Sequence, residues 1–140
     1  ANATFFSAKY KNNESNEFLN IESNYKVIAN LNGGKKFKFK TSELLLSTSI
    51  HFRGGASQHM PLEAVFPSQF NYSTAPSIRL GDYKRLDLRI NYIKGKSFWS
   101  LDIQNVLNIL NDAYQYYDID GLQTQKQLGM IPVLTYKYSL

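Results

Sequence analysis

The sequence of 140 residues contains no cysteine, which excludes a disulfide framework and a metal site built on thiolates. No apolar run approaches the ~18 residues that a membrane-spanning helix needs. The first residues, ANATFF, have neither the basic start nor the apolar stretch of a signal peptide. We therefore expect neither a disulfide-stabilised domain nor a helical membrane protein, and we expect any export signal to lie elsewhere.

Aromatic residues are abundant, with 10 Tyr, 9 Phe and 1 Trp, and the net charge is +5. The length is that of one domain. Four lysines lie close together in the sequence, namely Lys35, Lys36, Lys38 and Lys40. Basic clusters are one signature of nucleic-acid binding. Lysines in turns and along strands are more often solvated charges, so we expect no nucleic-acid partner.

Alternation of apolar and polar residues, the pattern of a half-buried strand, runs through most of the chain. It predicts an all-β protein of antiparallel, up-and-down strands. The six predicted strands are Ala1 to about Lys11, Phe18 to about Lys40, Leu44 to about Arg53, Tyr83 to Ile93, Ser97 to about Asn108, and Gln127 to Leu140.

The turn between the second and third strands has two candidate positions. Gly33 and Gly34 form an obvious turn signal, but the alternation continues beyond them to Phe37 and Phe39. It breaks at 41–43, and we therefore predict the turn there.

The predicted connections alternate in length. Those at 11–17, 54–81 and 109–126 are long, and those at 41–43 and 94–96 are short. Transmembrane barrels have short periplasmic turns and long external loops, and their strands need ~9–11 residues to span a bilayer. A soluble antiparallel sheet with one solvated face gives the same residue alternation. The rhythm of the connections favours the barrel.

The fourth strand alternates most clearly. Its apolar side carries Leu86, Leu88, Ile90 and Tyr92, and its polar side carries Arg85, Asp87, Arg89 and Asn91. The fifth strand places Trp99, Leu101 and Ile103 on its apolar side. Because charged side chains must be wet or paired, we expect the polar side to line water, and we expect the six apolar residues Leu86, Leu88, Ile90, Trp99, Leu101 and Ile103 to share the opposite face.

The last strand places Tyr136, Tyr138 and Leu140 on one face and Lys137 and Ser139 on the other. Tyrosine has an apolar ring and a polar tip, which suits the boundary between membrane and water. The pattern predicts that the chain ends in a sheet strand whose outer side meets that boundary.

Candidate chemistry is sparse. His51 and His59 are potential metal ligands, but no carboxylate or cysteine accompanies them at ligand spacing, and we expect no metal site. The run from Asp118 to Gly121 resembles part of a calcium loop without its full pattern, which favours a polar hairpin loop. Asp87 between Arg85 and Arg89 fits either a tuned catalytic acid or an ion-pair ladder across strands, and we expect the ladder. The sequence predicts no enzyme, no catalytic residue and no cofactor.

Four motifs follow one another in the C-terminal part of the chain. They are an R-x-D-x-R-x-x-Y strand (Arg85, Asp87, Arg89, Tyr92), an S-L-D-I-Q-N-V-x-N strand (Ser100 to Val106 with Asn108), a tyrosine pair (Tyr116-Tyr117) and a G-x-I-P-x-x-x-Y terminus (Gly129, Ile131, Pro132, Tyr136). Upstream lie TFFSAKYK, the strand from Tyr25 to Gly34, and Phe52-Arg53-Gly54-Gly55 with Met60-Pro61. In this order they resemble the C-terminal β-barrel segment of TonB-dependent outer-membrane receptors.

The resemblance covers nearly the whole chain, and it implies that residues 1–140 are the last six strands of a 22-stranded barrel in the outer membrane of a Gram-negative bacterium. The plug domain, the TonB-contacting segment and the other strands would lie outside this sequence. The implied function is import of a scarce nutrient, which is a sugar, a peptide or a metal chelate.

The implied partners are outer-membrane lipid, the remainder of the barrel with its plug, the TonB system through the missing N-terminal part, and a surface lipoprotein. A nutrient ligand would contact the loops 54–81 and 109–126, which are rich in Tyr, Phe, Asn and Gln. The alternative function is a soluble or surface-attached β-sheet module for binding or adhesion.

Overall fold

The computed structural model describes residues 1–11, 18–21, 24–59 and 77–140, and every regular element in these ranges is a β-strand. The strands are β1 (Asn2–Phe5), β2 (Lys9–Lys11), β3 (Phe18–Asn20), β4 (Val27–Lys38), β5 (Ser42–Arg53), β6 (Ser57–His59), β7 (Ser77–Arg79), β8 (Tyr83–Lys94), β9 (Ser97–Gln104), β10 (Asp112–Asp118), β11 (Gly121–Lys126) and β12 (Ile131–Tyr138). The all-β prediction is confirmed. Across the described ranges, no helix is long and apolar enough to cross a membrane.

Six strands form one sheet in the order β1-β4-β5-β8-β9-β12, and each neighbouring pair is antiparallel. The six strands of this sheet follow one another in the same order along the chain, with the other strands in the connections between them, so the predicted up-and-down arrangement of six strands is confirmed. The other strands form the two-stranded ladders β2–β3, β6–β7 and β10–β11, each within one of the long connections.

The first predicted strand, from Ala1 to Lys11, is divided into β1 and β2. Hydrogen bonding continues beyond β1 from the Phe6 N–H to the Lys26 carbonyl at 3.0 Å. Lys26 has a φ of 61°, a left-handed conformation that is uncommon for a non-glycine residue. The regular ladder between the two segments is interrupted there, and pairing resumes between β2 and β3.

The turn between β4 and β5 lies at 39–41, two residues before the predicted 41–43. The Phe39 N–H donates to the Ser42 carbonyl at 2.8 Å, which closes the turn. Glu43 belongs to β5, where its backbone pairs with Lys38 on β4 and Ile93 on β8, and its carboxylate also contacts Lys36 at 2.6 Å. The prediction that Gly33 and Gly34 lie within a strand is confirmed.

Two predicted loops contain regular structure. The segment 54–81 contains β6 and β7, and the segment 109–126 contains β10 and β11 with a register shift between Asp112 and Tyr114. Strands of three residues, such as β6 and β7, are too short to show a sequence period. Most of the predicted loop at 11–17 lies outside the described residues.

The register of the sheet aligns side chains in rows. One row across β4, β5, β8, β9 and β12 is Phe37, Leu44, Tyr92, Trp99 and Tyr136, and the parallel row two residues along each strand is Lys35, Leu46, Ile90, Leu101 and Leu134. These rows belong to the apolar face, which also carries Ile50, Leu86, Leu88 and Ile103. The six residues predicted to share a face therefore do so. The polar face carries Asn30, Ser47, Ser49, His51, Arg85, Asp87, Arg89, Asn91, Ser100 and Asp102.

Burial is the reverse of that in a soluble core. Within the described ranges, the buried residues are Asn24, Gly54, Gly55, Ser57, Ser100, Asn105 and Asn111. None of them has a large apolar side chain. On the apolar face, by contrast, Trp99 is 44% exposed and Leu134 is 68% exposed. The sheet thus leaves large apolar side chains exposed on one face, and the buried residues are polar or glycine.

Candidate functional site

Asp87 is the centre of an ion-pair cluster on the polar face. Its carboxylate accepts hydrogen bonds from Arg85 Nε at 3.0 Å and Nη2 at 2.7 Å, and from the Asn105 backbone N–H at 2.9 Å. His51 Nε2 on β5 lies 3.5 Å from Asp87 Oδ2. With this many partners Asp87 has the features of a structural anion. The Arg85–Asp87 pair lies within β8, so the predicted ladder of ion pairs across strands is not formed by these two residues.

A second ion pair joins β8 and β9, where the Arg89 guanidinium contacts the Asp102 carboxylate. Ser100 Oγ lies beside this pair, 2.7 Å from Asn91 Oδ1 and 3.2 Å from Asp102 Oδ2. Arg89, Asn91 and Asp102 line a shallow hollow of about 480 Å³ on the polar face, together with Ser47, Ser49 and the apolar residues Leu45 and Val133. Its lining of Arg, Asp, Asn and Ser offers hydrogen bonds to water or to a polar solute.

His51 is held by two neighbours, because its Nδ1 lies 2.8 Å from Asn30 Oδ1 and its Nε2 faces Asp87. The side chain of His59 is outside the described part of the structure. Among the residues described, no group of three or more His, Asp or Glu is arranged to hold a metal ion.

The connection after β9 is closed by two asparagines. Asn105 and Asn108 have φ angles of 54° and 53°, the left-handed conformation that Asn tolerates better than most residues. The Asn105 side chain donates to the Ile109 carbonyl at 2.9 Å and accepts from the Ile109 N–H at 3.1 Å. Asn108 Oδ1 accepts from the Met130 N–H at 2.9 Å and thereby connects the start of the excursion to its return.

Asn111 fixes the third connection to β8. Its Oδ1 accepts from the Lys84 N–H at 2.8 Å, and its Nδ2 donates to the Lys84 carbonyl at 3.0 Å. The side-chain amide therefore pairs with β8 as a strand backbone would. The adjacent Asp112 forms an ion pair with Lys126 and accepts the Gly81 N–H at 3.0 Å. These two hydrogen bonds lower the pKa of Asp112.

The second connection leaves β5 through Gly54 and Gly55, where backbone segments approach closely. A Cβ on Gly54 would lie 2.2 Å from the Tyr25 carbonyl oxygen, and one on Gly55 would lie 1.8 Å from the Leu80 carbonyl oxygen. The Gly55 N–H donates to Asp82 Oδ1 at 3.0 Å. Only glycine fits these positions, which explains the glycine pair at the end of β5.

Gln58 docks hairpin β6–β7 against hairpin β10–β11. Its Nε2 donates to the Gln115 carbonyl at 2.7 Å, and its Oε1 accepts from the Gln115 N–H at 3.0 Å. Together with the bonds of Asn105, Asn111 and Asp112, this contact forms a network that we call the loop anchors. The loop anchors lie at one end of the sheet, because all three long connections are at that end.

Hairpin β10–β11 carries exposed aromatic and amide residues. The rings of Tyr114 and Tyr116 have centroids 5.8 Å apart, and their side chains are half exposed. Gln125 and Gln123 lie opposite them on β11. This strip combines apolar ring faces with neutral hydrogen-bonding groups, the combination that binds uncharged polar ligands.

The run from Asp118 to Gly121 forms the turn of this hairpin, as its interpretation as a polar hairpin loop predicted. The Asp120 N–H donates to Asp118 Oδ1 at 2.8 Å, and Gly121 has a φ of 102°. The predicted ligand-contacting segments 54–81 and 109–126 meet through two of the loop anchors, the Gln58–Gln115 contact and the hydrogen bond from the Gly81 N–H to Asp112.

The anchoring roles of Asn105, Asn111 and Asp112 were not predicted from the sequence. The available signal was a shift in the alternation near Asn105, which the structure explains by the left-handed residues there.

Comparisons with protein-family models, with curated protein sequences and with solved structures find no match.

Proposed function

We propose that this chain is part of the barrel of a TonB-dependent receptor that imports a scarce nutrient across the outer membrane. The reversed burial carries the proposal. A sheet with exposed Leu, Ile, Trp and Tyr on one face and paired charges on the other matches a wall between lipid and a polar lumen. A soluble sheet would need a second layer to cover the apolar face.

The dimensions of the apolar face support the same proposal. Lys84 and Lys94 on β8 bracket its apolar residues, with ten residues of rise between them. This corresponds to about 33 Å along the strand, which a tilt of roughly 40° reduces to about 25 Å, the height of the apolar band of an outer-membrane barrel.

The long connections would lie outside the cell and contact the nutrient, which is a sugar, a peptide or a metal chelate. Tyr114 and Tyr116 with the glutamines opposite them form the exposed strip best suited to this contact. The remainder of the barrel would continue the sheet at its two open edges, β1 and β12, and the plug would lie against its polar face. A surface lipoprotein and the TonB system complete the proposed partners.

Fractionation of the native full-length protein tests the proposal. We expect it to sediment with outer membranes, to resist an alkaline wash and to dissolve only in detergent. Release into the soluble fraction after lysis would contradict the proposal and favour the binding or adhesion module.

Labelling of introduced cysteines tests the orientation of the sheet. In the full-length protein in native membranes, Leu88→Cys should resist a water-soluble maleimide, because lipid would surround it. Asn91→Cys on the polar face is the matched control and should react. Equal reaction of the two cysteines would show that both faces are wet.

A further inference from the structure

The charge of the chain is concentrated at one end of the sheet. The short-turn end, which consists of the turns 39–41 and 95–96 with the adjoining strand ends, carries seven lysines: Lys35, Lys36, Lys38, Lys40, Lys94, Lys96 and Lys137. Glu43 is the one acidic residue there. The short-turn end therefore has a formal charge of +6. The rest of the sequence has nine basic and ten acidic residues and therefore a formal charge of −1. All seven lysines are exposed.

These lysines are divided between the two faces of the sheet. Lys35 and Lys94 belong to the apolar face by register, and Lys96 lies in the turn directly after Lys94. Lys36, Lys38 and Lys137 belong to the polar face. We call Lys35 and Lys94 the basic rim.

The basic rim borders the row of aromatic residues Phe37, Tyr92, Trp99 and Tyr136. The Lys35 Nζ lies 5.2 Å from the centre of the Phe37 ring, so this side chain reaches towards the short-turn end from one row deeper in the apolar face. Trp99 and Tyr136 pack with ring centroids 4.3 Å apart. Aromatic rings of this kind concentrate at the level of lipid headgroups, and lysines beside them place their charges in the same layer.

We propose that the basic rim binds the phosphate headgroups of anionic phospholipids, such as phosphatidylglycerol, in the inner leaflet of the outer membrane. The proposal rests on the proposed function, which puts the short turns at the periplasmic interface. The +6 end, the exposed ammonium groups and the aromatic row beside them complement a negatively charged headgroup layer. Each lysine near such a surface contributes about a fivefold gain in binding.

The test uses the full-length protein in nanodiscs made of equal parts phosphatidylethanolamine and phosphatidylglycerol. The rim variant Lys35→Gln/Lys94→Gln is compared with the polar-face control Lys38→Gln/Lys137→Gln, which removes the same charge. Native mass spectrometry counts the phosphatidylglycerol retained, and competition with a fluorescent phosphatidylglycerol gives its affinity. We expect the rim variant to lose roughly tenfold or more in affinity and the control to lose less than about twofold.

Several results would overturn the proposal. These are equal losses in the two variants, no loss in the rim variant, or displacement of the lipid by inorganic phosphate or a single-stranded DNA oligonucleotide at comparable concentration. A Lys→Arg version of the rim variant should retain binding, and the gel mobility of unheated samples reports whether each variant is folded. A protein that fractionates with outer membranes but fails the lipid test would leave the proposed function in place, whereas a soluble full-length protein would remove both.

Discussion

The two ends of the six-stranded sheet are held together in different ways. At the short-turn end, the strands join through turns at 39–41 and 95–96, and side chains meet in rows set by the register, such as the pair Trp99 and Tyr136. At the other end, side chains of Asn105, Asn111 and Asp112 bond to backbone groups of other segments.

The difference follows from the backbone groups that each end leaves unpaired. A tight turn releases few N–H and C=O groups, whereas a long excursion releases many, and buried ones need partners. Asn and Asp supply these partners because their short side chains carry one or two acceptors close to the backbone. We therefore expect the costliest substitution where backbone segments pack too closely for a Cβ, and smaller costs where one side-chain hydrogen bond or ion pair is lost.

The largest expected effect is at Gly55, where the second long connection leaves β5. Gly55→Ala should lower the free energy of unfolding by about 3–5 kcal/mol, because the new methyl group would overlap the Leu80 carbonyl oxygen. Gly33→Ala in the middle of β4 meets nothing within 4 Å and should change stability by less than about 1 kcal/mol. Urea unfolding of the full-length protein in lipid vesicles measures both, and similar costs would erase the proposed contrast.

The strand segments between the two ends provide the second test. In the proposed barrel Leu88 would lie near the middle of the membrane, where Leu88→Arg should cost about 2–4 kcal/mol. Asn91→Ala on the polar face loses its hydrogen bond with Ser100 and should cost about 1 kcal/mol. The same unfolding experiment compares them, and equal costs would argue that the apolar face does not meet lipid.

Two substitutions of Asn105 distinguish the contribution of its side-chain hydrogen bonds from that of its backbone conformation. Asn105→Gly keeps the left-handed φ accessible and loses the side-chain bonds to Ile109, for a cost of about 1–2 kcal/mol. Asn105→Ala should cost about 1 kcal/mol more, because alanine is strained in that conformation. If the glycine and alanine variants unfold at the same urea concentration, the conformation of Asn105 contributes nothing to its role.

The smallest expected effect concerns Asp112. Its pKa is lowered in the folded protein by Lys126 and the Gly81 N–H, so its stabilising contribution is fully present above the unfolded pKa of about 3.9. The contribution is lost as the pH falls through the lower folded pKa. Asp112→Asn should cost about 0.5 kcal/mol at neutral pH and remove this part of the acid dependence. The free energy of unfolding of the wild type and of Asp112→Asn is measured at neutral and acidic pH. The same change with pH in both proteins would contradict this assignment.

The strands and faces of the sheet could be predicted because alternation with a period of two survives in every long strand. In β8 the alternation of Leu86, Leu88 and Ile90 with Asp87 and Arg89 settles the two faces without knowledge of the neighbours. The same local pattern kept Gly33 inside a strand.

The remaining features depend on segments that are distant in sequence. Asn111 anchors to Lys84, and Gln58 to Gln115, so their partners become evident only once the strand order is known. The turn at 39–41 was misplaced because Glu43 was taken as a turn residue, although its backbone pairs with the strands on both sides.

The contacts that close the bases of the long connections also bear on how such a protein can evolve. The second excursion leaves and returns through Ala56 and Leu80, whose backbones are joined at 2.9 Å, and the third through Asn108 and Met130. Each pair fixes the ends of its excursion independently of what lies between them, and a longer intervening segment adds little closure entropy. Residues of these connections that make no anchoring contact, such as the fully exposed Ile119 at the tip of hairpin β10–β11, can therefore change with little effect on the sheet.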